Sequence, residues 1–204
     1  RVRVSPIGDV WALGAHRVAS SEAWIHSVAR RSRDQWELPW STTNDTVPRI
    51  HDLALSPTGE VWLAGDDGVS RIVGSRRERS ALGKPTYALA VGPDGLVWAG
   101  GIGVIYRLGS GCWTPFKLPM IEKVHRIWMD TDGTGWAALS SGYLVRYDGL
   151  RWDVVRGEYD PTGSTGVPGD FHGLTISGRG QDRRVWLSGS NDSIVSAAVT
   201  VLKQ

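Results

Sequence analysis

Five segments decide how the chain folds: GDVWALG (8–14), GEVWLAG (59–65), DGLVWAGG (94–101), DGTGWAAL (132–139) and RRVWLSG (183–189). They place Trp11, Trp62, Trp98, Trp136 and Trp186 in equivalent positions, 51, 36, 38 and 50 residues apart, and they fill the 204-residue chain. A period of this size marks a repeat architecture, in which one unit buries its apolar face against the next.

The agreement extends on both sides of each tryptophan. Eleven residues upstream stand His51, Tyr87 and His125, and fourteen upstream of the last stands His172, beyond a three-residue insertion in SGRGQDRR. These residues open HDLALS, YALAVG, HRIWMD and HGLTIS, in which every second side chain is apolar, the two-residue period of a strand. Turns of the type SPTGE, GPDGL and DTDGT follow, with the Pro, Asp and Gly that tight reversals require. A third strand is read in GVSRIV, GVIYRL and GYLVRY, which carry Arg71, Arg107 and Arg146. A fourth is read in QWELPW, CWTPFKL and RWDVV, which carry Trp36, Trp113 and Trp152.

Four-stranded units of about forty residues in series predict an all-β chain, a β-propeller of about five four-stranded blades. The blades are expected at 1–48, 49–84, 85–122, 123–169 and 170–204 of a single domain, the last of them incomplete because SIVSAAVTVLKQ offers no clear fourth strand. A β-sandwich also uses short alternating strands, but nothing in it calls for the same residues at the same offsets five times. The start, RVRVS, reads as an inner strand without an initiator methionine, so the chain is expected to be cut from a longer product.

DGLVWAGG with VIYRL, and DGTGWAAL with GYLVRYDGLRW, resemble the two-component regulator propeller repeat. That resemblance covers copies two to four, and copies one and five only around their tryptophans. It implies a propeller used in sensing or interaction, as in the periplasmic sensor regions of bacterial signalling proteins.

The composition narrows the function by exclusion. A formal charge of +2, with 22% charged residues, gives no global bias toward nucleic acid or membrane, and a nucleic-acid partner is disfavoured because no aromatic-rich basic groove is evident. No run approaches the roughly 18 apolar residues of a spanning helix, so no membrane insertion is expected in this segment. Cys112 is the only cysteine, which excludes an internal disulfide and a cysteine-held zinc. A hydrolytic nucleophile is not signalled, since no GxSxG elbow occurs. Of the carboxylates Asp52, Asp66, Asp67 and Asp130, most are expected in turns, and Asp94 and Asp132 before glycine read as turn formers. No catalytic residue, cofactor or metal is therefore assigned, and the chain is read as non-enzymatic.

Two sets of residues remain as candidate sites. His51, Tyr87, His125 and His172 begin inner strands and are read as a ring about one mouth of the central channel, facing a metal or an anionic ligand, or else each bonded within its own blade. Ring geometry is expected to hold them many ångströms apart. Arg30, Arg31 and Arg33 in copy one, and Arg76, Arg77 and Arg79 in copy two, are read as loop residues between strands three and four that form one basic patch, diluted by Asp34 and Glu78. The repeated tryptophans are expected between blades; Trp24, Trp40 and Trp128 fall outside the pattern and are the better candidates for exposed contacts.

Two functions fit. A partner-docking ring tolerates loops that differ from blade to blade, whereas a lectin-like binder of carbohydrate or another small ligand predicts matching loops. GAHRVASSE, GDDG, GGIG, SSG and GSND differ, so a protein partner is favoured.

Overall fold

The computed structural model describes residues 1–17, 24–42, 48–155, 170–178, 184–191 and 194–203, the backbone alone being described at 190–191 and 194–203. The insertion in SGRGQDRR and most of the GAHRVASSE loop lie outside the described residues.

Five antiparallel sheets follow one another along the chain. The first is β1 (Val2–Val4), β2 (Val10–Arg17), β3 (Trp24–Ser32) and β4 (Gln35–Ser41); the second is β5 (Ile50–Leu55), β6 (Val61–Gly65), β7 (Gly68–Val73) and β8 (Arg76–Arg79). The third is β9 (Ala88–Val91), β10 (Val97–Gly100), β11 (Val104–Gly109) and β12 (Cys112–Lys117), and the fourth is β13 (Val124–Met129), β14 (Gly135–Leu139), β15 (Leu144–Tyr147) and β16 (Trp152–Val155). β17 (Asp170–Ser177), β18 (Arg184–Asn191) and β19 (Ile194–Lys203) form a three-stranded fifth. Within each sheet every strand pairs with its sequence neighbour, so the chain is a series of meanders and the architecture is a β-propeller.

Blades one to four are each pinned by one cross-strand pair, whereas in blade five Trp186 stands opposite Val201. The second-strand tryptophan stands opposite a third-strand arginine: Trp11 with Arg30, Trp62 with Arg71, Trp98 with Arg107 and Trp136 with Arg146. In each the guanidinium carbon lies over the indole, at 5.5, 6.0, 5.6 and 5.8 Å from the ring centroid. A cation over a ring contributes about 0.5–2 kcal/mol, more as water is excluded. Arg30 is thus the first-blade copy of the repeated arginine, displaced in sequence by the longer loop between β2 and β3.

The tryptophans also wedge the blades together. Trp11 packs with Val28 and Trp40 against Ile50, Leu53, Val61 and Leu63 of the second blade. Trp62 borders the core shared by blades two and three, Trp98 packs with Val124, Ile127 and Tyr147 of blade four, and Trp136 packs with Phe171, Val185 and Leu187 of blade five. Trp40, expected as an exposed contact, is 9% exposed in the first of these cores, because β4 turns it toward the second blade.

Four apolar cores therefore join five blades in series. Among the described residues, the face of blade one that points away from blade two is not covered in the same way: Val2 is 60% exposed whereas its counterpart Leu53 is fully buried, and Val4 is 65% exposed.

Three of the inner strands are bulged. The register shifts between Ile50 and Asp52, between Val124 and Arg126, and between Phe171 and Gly173, so the extra residues are His51, His125 and His172. A bulge leaves its residue outside the ladder and re-aims its side chain, a device common beside binding sites.

Candidate functional site

A meander puts the first and third turns of every blade on one face and the second turn on the other. The inner strands β1, β5, β9, β13 and β17 begin at the face of the second turns and end at the face of the first turns. All five inner strands contribute to one cavity of about 680 Å³. Its outer rim is formed by the first turns, with Pro6, Pro57 and Pro93, and its inner part includes Arg3, Arg126 and His172.

Behind the wall sits a buried carboxylate. Asp52, expected with the turn acids, lies in β5 and is fully buried; its Oδ1 accepts the backbone N–H of Leu53 at 3.0 Å and its Oδ2 that of Leu89 at 3.0 Å. The second bond crosses from blade two to the free edge of the inner strand of blade three, where the ladder offers no partner. Arg1 Nε and Arg3 NH2 approach the same carboxylate at 3.3 and 3.5 Å.

Arg126 completes this constellation from blade four. Its NH1 donates to the carbonyl of His125. Burial, and then the charge of Arg1, push its pKa down to about 10 against the pull of Asp52, so it stays cationic at neutral pH. Arg1, Asp52, Arg126 and Gly173 occupy one equivalent position in their blades, the residue after the strand opener.

The strand openers come together in pairs. His51 and Tyr87 meet at 5.0 Å between ring centroids, and His125 and His172 at 5.0 Å with their planes at 74°. Expected separation by ring geometry is thereby corrected: the bulges bring residues of adjacent blades into contact. His51 Nε2 is 2.6 Å from Asp66 Oδ1 of its own blade, and Lys123 Nζ stands 4.7 Å over the ring of Tyr87. Burial first, and then Lys123, lower the pKa of His125 to about 4, so it is neutral at pH 7. Among the described residues no group of three or more His, Cys, Asp or Glu is placed to hold a metal ion.

The six arginines are not loop neighbours on one face. Arg76, Arg77 and Arg79 form the fourth strand β8 itself, an outer edge strand whose charges make it a poor template for another strand. Arg77 turns inward, donating from Nε to Ser70 Oγ at 2.7 Å and from NH2 to Asp67 Oδ1 at 2.6 Å; Arg79 Nε lies 2.8 Å from Asp67 Oδ2. Asp67 belongs to a second turn, so these two are drawn toward the face where the inner strands begin. Arg30 donates from Nε to Asp9 Oδ2 at 2.9 Å and holds the Asp9 carboxyl below its usual range. Arg31, paired with Asp34 at 3.2 Å, remains exposed with Arg33 at the β3–β4 turn, and Arg76 is exposed beside the β7–β8 turn. Arg31, Arg33 and Arg76 thus share the opposite face. Trp36, opposite Arg31 across the strands, is 59% exposed.

Sequence reasoning missed Arg3 and Arg126. The only signal available was a basic residue one or three positions into an inner strand, where, Arg1 apart, the other blades carry neutral or acidic residues.

No protein-family model matches the sequence, and no curated protein is significantly similar to it. Solved structures of the same fold are numerous. A structure described as YCF48 bound to D1 peptide is 17% identical with a TM-score of 0.59, over 83% of this chain and 59% of that one. The extracellular domain assigned to a hybrid two-component system from B. thetaiotaomicron is 14% identical with a TM-score of 0.65, over 98% of this chain and 27% of that one. A glucose dehydrogenase is 11% identical with a TM-score of 0.62, over 100% of this chain and 82% of that one. These similarities show the propeller fold, which carries binding and catalysis alike. The chain spans 59% and 27% of the first two structures.

Proposed function

We propose that the chain is a non-enzymatic propeller module that docks an acidic surface of a partner protein through the face carrying Arg31, Arg33 and Arg76. The observation that carries this reading is the exposure of these arginines at the β3–β4 and β7–β8 turns of neighbouring blades, with Trp36 exposed opposite Arg31. Exposed arginine with tryptophan is the composition that dominates protein–protein hot spots. The peptide-bound propeller and the extracellular domain of a two-component system among the structural neighbours are in keeping with it.

Five carboxylates bear on the non-enzymatic reading. Asp9, Asp52 and Asp67 bind arginines or backbone N–H groups that tie strands and blades together, and Asp94 and Asp132 accept turn N–H groups of Leu96 and Thr134. Each is spent on the fold. The lectin-like alternative is weakened because Trp98 and Trp136, at 2% and 0% exposure, have no face left for a sugar.

The test is an affinity capture from the native lysate with wild-type protein and with an Arg31→Glu, Arg33→Glu, Arg76→Glu variant. A partner bound at stoichiometric amount, released by moderate salt and lost in the variant, is the expected result. A partner retained equally by the variant would overturn the assignment of this face, and enrichment of no protein would overturn the docking reading in that lysate.

A further inference from the structure

We propose that the cavity between the inner strands is a binding site for a small anion, which presents a carboxylate or phosphate group to Arg126 and Arg3. It stands apart from the docking reading and uses different residues.

The charge of the lining carries the inference. Arg3, Arg126 and His172 line the cavity, the hydroxyl-bearing Ser5 and Ser56 lie at its rim, and its described lining includes no acidic side chain. Its volume falls within the range of pockets that enclose small ligands, about 300–1,000 Å³.

Asp52 does not cancel this charge. Its two oxygens are already engaged by the backbone N–H groups of Leu53 and Leu89, and it stands near three guanidinium groups, those of Arg1, Arg3 and Arg126. One carboxylate among three cations leaves an excess of positive charge beside the cavity. Arg126 is the clearest case: a half-buried guanidinium has five N–H donors, and the acceptor it uses is the carbonyl of the preceding residue. Holding a cation partly out of water is unfavourable unless an opposite charge completes its shell.

The surrounding positions give such a group room. Residues equivalent to Arg126 in blades three and five are the small Ala88 and Gly173. His172 is lifted out of its ladder by a bulge and stands at the same wall. An oxyanion in the cavity can receive charged N–H donors from both Arg126 and Arg3, and the guanidinium fork matches a carboxylate or phosphate.

The probes are inorganic phosphate and succinate, each titrated into the wild-type chain by calorimetry in a low-ionic-strength zwitterionic buffer. Saturable low-millimolar or tighter binding is expected, weakened at least tenfold in Arg126→Met and in Arg3→Met but unchanged in Arg151→Met, an exposed arginine outside both sites. Preference for phosphate identifies a phosphorylated ligand, and preference for succinate a carboxylate-bearing one. Because a channel variant can fail to fold, amide shifts are also followed in the wild-type chain during the phosphate titration, and they are expected to centre on Arg126, Gly173 and Arg3. Absence of saturable binding for both probes, shifts centred elsewhere, or affinity retained in both folded channel variants would overturn the proposal.

Discussion

At the scale of the residue, the molecule is organised by what each large or charged side chain is placed against. Four arginines that a composition count treats as surface charge are laid across indoles, where their stems pack and their charge meets the ring face. His125 shows the opposite economy. Burial holds its folded pKa near 4, below the ordinary 6.5, so between those values the unfolded chain binds more protons than the folded one. Stability is then full above pH 6.5 and is lost as pH falls toward 4. Burial lowers the His26 pKa too, adding loss in the same direction. Urea midpoints measured from pH 7 to pH 4.5 are expected to fall in the wild type and to fall less in His125→Gln. Equal slopes in the two proteins would show that His125 titrates normally in the folded state.

At the scale of the element, sequence legibility followed the physics of each strand. The inner and second strands of blades two to four are packed on both faces between neighbouring blades, so Leu53, Leu89 and the tryptophans left a period that could be read without coordinates. Edge strand β8, RRER, has no apolar partner to demand alternation, and its residues were read as a loop. Repeat reasoning looks for sameness, which is why it found His51, His125 and His172 and overlooked Arg126. The position after the strand opener holds Asp52, Ala88, Arg126 and Gly173, and whatever it does depends on their differing. Turns can be tested in the same terms. Gly68 has φ +99°, and a Cβ there would lie 2.9 Å from the backbone nitrogen of Gly83, whereas Gly59, at φ +87°, has open space around it. Both Gly→Ala changes carry backbone strain of about 1–3 kcal/mol, and Gly68→Ala adds a clash with main chain that cannot rotate away. Urea unfolding is expected to rank Gly68→Ala clearly below Gly59→Ala, and equal costs would mean that the 83–84 segment moves aside freely.

At the scale of the whole molecule, the blades are joined in series by four apolar cores and by single polar ties such as Asp52 to Leu89. A propeller blade presents two faces, and the energy of the array resides in how many of them are covered. Leu53 and Val2 make the comparison direct, since they occupy the same inner-strand position in blades two and one, the first fully buried against its neighbour and the second 60% exposed. Truncating a buried leucine costs about 2–5 kcal/mol, while an exposed apolar side chain changes stability by about 0.5 kcal/mol or less. Leu53→Ala is therefore expected to lower the unfolding midpoint sharply and Val2→Ala or Val4→Ala to leave it almost unchanged. Blade one also carries Trp36 and Leu38 at 59% and 61% exposure, so the contrast reaches beyond one strand. If Val2→Ala and Val4→Ala each cost more than about 1 kcal/mol, that face is covered in solution, and sedimentation of the same samples distinguishes a second copy from a rearranged last blade. A small cost places blade one at an open end of the array, with its binding faces and its cavity supported from one side.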